Sequence, residues 1–149
     1  MSLDVTLYKP YHITYDGGAT LIEKEEELYS ANITHNLGKM ANKAGIYEAL
    51  WRPHLLHFSC TKEMKEDFNS DDRDRWQKEY VFEDSIKMYA RDIISHLEKG
   101  LKKLKAKPEY YEKFNSPNGW GMYEHFVPFV EKYLKACKEF PEAQIMVSR

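Results

Sequence analysis

The stretch from Tyr29 to Pro53 (YSANITHNLGKMANKAGIYEALWRP) most constrains the fold, because an extended pattern changes there into a helical one. Its polar side chains come first, and apolar residues at helical spacing follow until Pro53 ends them. We expect Asn36 to cap the helix and Gly45 to end it. Free backbone N–H groups collect at such a helix start, so the stretch is also a candidate ligand site.

The residues before this stretch predict a small antiparallel sheet. Ser2 to Tyr8 alternates apolar and polar side chains, as a half-buried strand does, and we expect Pro10 to end that strand. Two further extended segments flank Asp16-Gly17-Gly18, which predicts a hairpin turn because glycine tolerates a positive φ. Near the end of the chain, Ala143 to Ser148 predicts a strand that returns to pair with the first.

Helical patterns fill most of the remainder. Phe82 to Ala106 carries one apolar stripe at i, i+3, i+4 and i+7 spacing, which predicts a single helix. Pro108 begins a short helix, and Met122 to Phe140 predicts another, with a kink or a later start at Pro128. The order of strands, helices and one last strand predicts an α+β domain over residues 1–149, with the sheet packed against three to four helices.

Residues 54–80 predict a charged insertion into this domain. Most of its charge lies in Lys62 to Glu79 (KEMKEDFNSDDRDRWQKE). A stretch of this composition forms either a mobile excursion or a flap that contains a short helix, and the sequence leaves both open.

Charge and composition exclude several classes of protein. The formal net charge is -2, with 22 basic and 24 acidic residues, so we expect no nucleic-acid polymer as a partner. Two cysteines predict no disulfide framework, which fits a reducing compartment. Met1 to Pro10 lacks a signal-peptide pattern and no apolar run has membrane-spanning length, so we expect a cytoplasmic protein without a membrane anchor.

Three blocks of the chain together resemble one protein family: SANITHNLGKMA (30–41) with AGIYEALWRP (44–53), NGWGMYE (118–124), and the ending 143–149. This is a family of small uncharacterised proteins of bacteriophages, prophages and some bacterial genomes. Lys9 to Lys24 and Cys60 to Tyr80 depart from the resemblance and look like extensions. The resemblance implies a viral or mobile-element origin and a place in the host cytoplasm, and it implies no particular activity.

Several side chains in these blocks suit a ligand site. More polar residues lie at 32–36 than capping of a helix needs. In the Asn-Gly-Trp-Gly loop, two glycines allow the backbone to present an indole. Arginine side chains hold carboxylate or phosphate groups through two hydrogen bonds. The alternatives are capping alone, a tryptophan that plugs the core, and arginines that pair with surface carboxylates. The predicted pocket is lined by Asn32, Thr34, His35, Asn36, Arg52, Trp120, Tyr123 and Arg149.

Metal and catalytic motifs are weaker. His54 and His57 with the nearby aspartates 71, 72 and 74 lack the spacing of a zinc site or of an EF-hand loop, so we predict no metal and no cofactor. The usual nucleophile and phosphate-loop motifs are absent from the sequence. An acid–base pair of His35 and Glu124 is the remaining catalytic candidate, and we assign no catalytic residue.

The leading hypothesis is a phage or prophage accessory protein that binds a small anionic or nucleotide-like ligand without chemistry, with sequestration of a host signalling nucleotide as one version. A second hypothesis is a protein–protein module, either an inhibitor of a host factor or a structural component, and a homo-oligomer is left open. A third is a small hydrolase or transferase with His35 as its base. The first is favoured if residues 30–36 and 118–124 meet in one cleft.

Overall fold

The computed structural model describes Ser2 to Arg149, without the side chain of His35. The α+β prediction is confirmed, since a three-stranded antiparallel sheet packs against helices. In the described residues seven α-helices form rather than three to four, because several are single turns. The elements are β1 Ser2–Tyr15, β2 Thr20–Thr34, α1 Gly38–Lys43, α2 Tyr47–Trp51, α3 Lys62–Phe68, α4 Arg75–Ser85, α5 Ile94–Ala106, α6 Pro108–Glu112, α7 Tyr123–Glu139 and β3 Gln144–Ser148.

The sheet has the order β2-β1-β3, with every pair antiparallel. The predicted return of the last strand is confirmed, because Val147 lies opposite Val5 in β1. Leu3, Val5 and Leu7 alternate into the core and are fully buried, whereas Asp4 lies on the other face opposite Asn32. The period of two in the sequence therefore sets which face of the sheet the helices cover.

The first strand does not end at Pro10, and this prediction is wrong. β1 continues to Tyr15, and Pro10 pairs with Glu25 of β2. The pairing of β1 with β3 stops at Tyr8, so Pro10 lies beyond the third strand, where β1 has a free edge that tolerates proline. The predicted turn at Asp16–Gly18 joins the two long strands. Residues 9–27, which we call the arm, extend past the three-stranded part of the sheet.

Phe82 to Ala106 is not one helix, although its apolar stripe predicts one. α4 ends at Ser85 and α5 begins at Ile94, and the chain between them runs along β3. There Ile145 donates its N–H to the carbonyl oxygen of Met88 at 2.9 Å, and Ala90 donates to that of Ala143 at 2.8 Å. Backbone hydrogen bonds to the sheet thus outweigh helical propensity in this segment.

The core lies between the sheet and the long helices α5 and α7. Leu97 and Leu104 of α5 are fully buried, as are Phe126 and Tyr133 of α7. The two leucines and the phenylalanine each contribute about 1.5–3 kcal/mol by leaving water. α7 starts at Tyr123 and runs through proline 128, so the predicted later start is wrong. In the described residues no helix is long and apolar enough to cross a bilayer.

The predicted insertion at 54–80 is a folded part of the body. It contains a 3-10 turn at Pro53–Leu56, α3 and the first half of α4. Phe68 and Glu79 are both buried, so the segment packs against the rest of the protein. Helices therefore form in this segment, and its being an insertion stays a prediction.

Candidate functional site

The predicted pocket residues lie in two separate depressions. Asn32, Thr34 and Trp120 line a cleft between the end of β2 and the start of α7, which we call the Trp120 cleft. Arg52 and Arg149 line a second depression beside α4, which we call the Arg52 groove. The eight residues therefore do not form the single pocket that the sequence predicts.

The Trp120 cleft confirms that residues 30–36 and 118–124 meet. The side-chain N–H of Asn36 donates to the carbonyl oxygen of Trp120 at 3.2 Å. A Cβ atom on Gly121 would lie 3.0 Å from the Cβ of Asn36, and Gly121 has φ +107, so this close approach needs glycine. The indole of Trp120 is 69% exposed, which excludes the alternative that it plugs the core.

The polar residues of the cleft are engaged with the protein itself. Asn32 donates to a carboxylate oxygen of Asp4 at 2.5 Å across the sheet. Asn36 is not a helix cap as predicted, because α1 begins at Gly38 after Leu37 and no side chain caps it. The side chain of His35 lies outside the described residues, so its role stays a prediction.

Charge is scarce in this cleft. Among its described lining residues, His125 is the single titratable side chain, and it is largely exposed. Glu124, the predicted acid–base partner of His35, is also largely exposed. The cleft of about 330 Å³ therefore offers a flat indole and few groups that attract an anion.

Tyr123 has a structural role behind the cleft. Its hydroxyl donates to the carbonyl oxygen of Leu104 at 2.7 Å, and its backbone N–H donates to the side-chain oxygen of Asn115 at 2.7 Å. Burial raises the pKa of Tyr123, and Glu112 raises it further. These bonds fix the loop before α7 against α5, so the Tyr123 side chain supports the cleft from behind.

The Arg52 groove is built on a buried carboxylate. Glu79 of α4 accepts from Arg52 through two parallel bonds, Nε to Oε2 at 2.9 Å and Nη2 to Oε1 at 2.6 Å. His54 Nε2 lies 2.6 Å from the same Oε2 atom. Arg52 follows the end of α2, and Pro53 turns the chain so that His54 reaches Glu79 from the next turn. Fork-to-carboxylate bonds of this kind combine charge with fixed geometry.

A second ion pair continues this cluster to the end of the chain. Glu83 lies one turn beyond Glu79 on α4 and accepts from Arg149 at 2.9 and 3.2 Å. Arg149 also donates to the carbonyl oxygen of Trp51 at 2.8 Å. His54 Nδ1 lies 3.7 Å from a Glu83 oxygen, so the imidazole sits between the two carboxylates.

The protonation of the cluster follows from its contacts. Burial alone raises the pKa of Glu79, but the hydrogen bonds from His54 and Arg52 outweigh it and lower the pKa to about 2. Because an ionised carboxylate only accepts, His54 Nε2 must carry the hydrogen of their bond. His54 is itself almost fully buried, so its imidazole is held in one orientation. The alternative that Arg52 and Arg149 pair with carboxylates is the one that forms, but Glu79 and Glu83 are largely shielded from water instead of lying at the surface.

The surface of the groove combines arginines with aromatic rings. Arg52, Arg75 and Arg149 line it, and Glu79 is the single carboxylate among its described lining residues. Trp76 is 61% exposed and meets Tyr80 edge to face at 5.8 Å. The Arg149 guanidinium lies 5.5 Å from the centre of the Tyr80 ring. The groove holds about 270 Å³.

A larger depression adjoins the groove. It holds about 490 Å³ and shares Tyr47, Arg52 and Asn69 with the groove. Asn69 accepts from Arg52 Nη1 at 2.7 Å, so the shared wall is held by the same guanidinium that binds Glu79. The guanidinium of Arg52 therefore lies between the two depressions, and it donates to Glu79, to Asn69 and to the carbonyl oxygen of Phe68.

Most of this groove was not predicted from the sequence, because residues 54–80 have the composition of an irregular insertion. The pattern that predicts the groove is a helical one within this segment. Trp76, Glu79, Tyr80 and Glu83 have the spacing i, i+3, i+4 and i+7, which places them on one face of α4. A helix assignment would have brought two carboxylates and two aromatic rings together.

The metal candidates do not converge. Within the part of the chain that the structure describes, no three His, Cys, Asp or Glu side chains form a group that could hold a metal ion. His57 Nδ1 lies 2.6 Å from the hydroxyl of Ser59, whereas His54 is turned toward Glu79. Asp72 accepts the backbone N–H of Asp74.

Comparison of the chain with protein-family models, with curated proteins and with solved structures gives no match.

Proposed function

We propose that the protein binds a small anionic ligand with a flat ring, such as a nucleotide, in the Arg52 groove and performs no chemistry on it. One observation carries the proposal: three arginines and the exposed rings of Trp76 and Tyr80 line the same depression. Arginine forks suit phosphate oxygens, and an exposed indole suits a base. The alternative position, the Trp120 cleft, offers the ring without the arginines.

The three arginines have different roles in the proposed site. Arg52 is fixed by Glu79, and this pair forms the floor of the groove. Arg75 and Arg149 lie beside it. The two Nη groups of Arg149 donate to Glu83 and to the carbonyl oxygen of Trp51, so its Nε–H is a donor that a ligand can use. A charge-assisted hydrogen bond contributes about 1.5–3 kcal/mol, and a stacked base about 1–3 kcal/mol.

We assign the protein to the host cytoplasm, as a phage or prophage accessory protein. The three sequence blocks that resemble such proteins support this origin. A host signalling nucleotide combines phosphate with a flat base, so sequestration of such a nucleotide is the version of the proposal that best fits an arginine and aromatic groove.

Calorimetric titration with GMP, GTP and a cyclic dinucleotide tests the proposal. We expect the wild-type protein to bind at least one of them, and Arg75→Ala and Trp76→Ala each to weaken that binding about tenfold, which is about 1.4 kcal/mol. Trp120→Ala is the matched control, since it removes a similarly exposed indole from the other cleft. Failure of all three probes to bind, or equal losses in Trp76→Ala and Trp120→Ala, would overturn the proposal.

A protein–protein module is the second candidate, and one observation favours it. Phe58 is 94% exposed and Val81 is 67% exposed, so the region that carries the groove also shows apolar side chains to solvent. A host protein that co-purifies in a stoichiometric amount, and is lost from Phe58→Ser, would favour this function over nucleotide binding.

A further inference from the structure

We propose that His54 is a proton switch beneath the Arg52 groove: when its Nδ1 atom takes up a proton, Glu83 moves from Arg149 toward the imidazole, and the groove binds anions more tightly. Only the last step rests on the proposed function, because the movement of Glu83 needs no ligand. The side chain of His54 is 1% exposed and lies between Glu79 and Glu83, the two carboxylates that bind arginines of the groove.

The Nδ1 atom of His54 is a buried polar atom without a hydrogen bond. Nε2 donates to Glu79 at 2.6 Å, which leaves Nδ1 as an acceptor in the neutral imidazole. Within the described residues Nδ1 has no hydrogen-bond partner, and Oε1 of Glu83 lies 3.7 Å away. Two acceptors thus face each other, and a buried polar group without a partner lowers stability. A proton on Nδ1 removes this conflict, because it makes Nδ1 a donor to Glu83.

The imidazole is the group of this cluster that changes its charge. The guanidinium groups of Arg52 and Arg149 keep their protons in a protein. The hydrogen bonds from His54 and Arg52 lower the pKa of Glu79 to about 2, so this carboxylate stays ionised near neutral pH. Histidine is the side-chain type whose charge ordinarily changes between about pH 5 and pH 8. The charges of the two arginines cancel those of the two carboxylates, so a protonated imidazole makes the cluster cationic.

The other neighbours of the imidazole bind neither carboxylate. Phe82 of α4 meets the His54 ring edge to face at 6.4 Å, and His57 meets Phe82 in the same way at 6.5 Å. His57 is titratable, but its Nδ1 atom lies 2.6 Å from the hydroxyl of Ser59. Burial raises the pKa of the Cys60 thiol, so this group stays uncharged over the same pH range. The charges that face His54 are therefore those of the two ion pairs.

The bonds of Glu83 determine which contact gives way. Arg149 donates from Nη2 to Oε2 at 2.9 Å and from Nη1 to Oε1 at 3.2 Å, so Oε1 has the longer bond. Oε1 is also the oxygen that faces His54, and a shift of less than about 1 Å brings it to the distance of an ordinary hydrogen bond. Nη1 keeps its bond to the carbonyl oxygen of Trp51 at 2.8 Å. Arg149 therefore stays in place while one of its N–H groups is released.

Both consequences of the proton favour an anion in the groove. The cluster gains one positive charge, and Arg149, which lines the groove, gains a free donor. The protonated form therefore binds anions more tightly, and the affinity should rise as the pH falls. Because such coupling is reciprocal, a bound anion should in turn promote proton uptake at His54.

Nitrogen-15 NMR of the full chain without ligand tests the movement of Glu83 and needs no variant. We expect His54 to carry a hydrogen on Nε2 alone at about pH 8 and a second one on Nδ1 at about pH 5.5. The guanidinium signals of Arg149 should shift with the same midpoint. A His54 ring whose protonation stays constant over this range overturns the proposal, as does a titrating ring that leaves the Arg149 signals unchanged.

Calorimetric titration at about pH 8 and about pH 6 tests the effect on the groove. The probes are sulfate and a cyclic dinucleotide, because both keep their charge over this range. We expect the wild-type affinity to be about threefold to tenfold higher at the lower pH, as one added charge near the binding site predicts. The heat should also depend on the ionisation enthalpy of the buffer, which reports proton uptake.

Two variants separate His54 from the other histidines. His54→Gln has an amide that can donate to Glu79 and does not titrate, so it should lose the pH dependence. His125→Gln removes a largely exposed histidine from the Trp120 cleft and should keep it. A wild-type affinity that is independent of pH, or the same pH dependence in His54→Gln, overturns the coupling. If neither probe binds at either pH, ligand binding and the last step of the proposal are both refuted, whereas the NMR titration separately decides the movement of Glu83.

Discussion

The two depressions of this protein both show an exposed tryptophan, but they are built in different ways. In the Trp120 cleft two backbone segments pack closely: Asn36 donates to the carbonyl oxygen of Trp120, and Gly121 approaches Asn36. In the Arg52 groove, ion pairs hold the structure, since two carboxylates on α4 bind Arg52 and Arg149. Contacts between residues distant in sequence hold both depressions, but among the described lining residues the Arg52 groove alone brings arginines beside its exposed indole.

The largest effect should come from the carboxylate beneath the groove. We expect Glu79→Ala to lower the free energy of unfolding by about 3–5 kcal/mol, because it leaves Arg52 and His54 without their shared buried partner. Urea denaturation measures this change. Glu98→Ala, which breaks a half-exposed pair with Lys138, should cost at most about 1 kcal/mol. Equal losses in the two variants would mean that the charges beneath the groove contribute no more than surface charges.

Stability at low pH isolates the same carboxylate. The pKa of Glu79 is about 2 in the folded protein against a usual value of 4.5, so its stabilising effect is present above pH 4.5 and is lost as pH falls toward 2. The difference in unfolding free energy between wild type and Glu79→Gln should therefore be constant above pH 4.5 and shrink below it. A difference that stays constant down to the acid limit of folding would contradict the lowered pKa.

We expect stability at the Trp120 cleft to depend on its glycines and not on charged side chains. Gly121→Ala places a Cβ 3.0 Å from Asn36 at a positive φ, and we expect it to cost about 1–3 kcal/mol. Gly119→Ala has a positive φ but open space around it, so it should cost about 1 kcal/mol. Thermal unfolding compares them. If Gly119→Ala is the more damaging variant, the close approach of the two segments is not what holds the cleft.

The sequence predicted the sheet and the hairpin, because period-two alternation and glycine turns are local signals. It failed at 86–89, where hydrogen bonds to β3 interrupt an apolar helical stripe. It also did not predict that Arg52 and Arg149 contact the carboxylates of α4. A buried network of Arg52, Glu79 and His54 depends on long-range packing, which no local pattern records.

The exposed tryptophans should have the smallest effect on stability. Trp76→Phe and Trp120→Phe each replace an indole that is more than half exposed, so we expect changes within about 0.5 kcal/mol. Trp51, the third tryptophan, is buried and serves as an internal reference in both variants. Comparable stability makes the pair suitable reporters of ligand binding.

Tryptophan fluorescence during titration with GMP, GTP and the cyclic dinucleotide shows which depression binds the nucleotide, because each depression carries its own exposed indole. We expect a bound nucleotide to quench the tryptophan fluorescence of the wild-type protein and of Trp120→Phe by stacking on Trp76, and we expect Trp76→Phe to lose this response. Quenching that survives in Trp76→Phe and disappears in Trp120→Phe would place the ligand in the Trp120 cleft and contradict binding in the Arg52 groove.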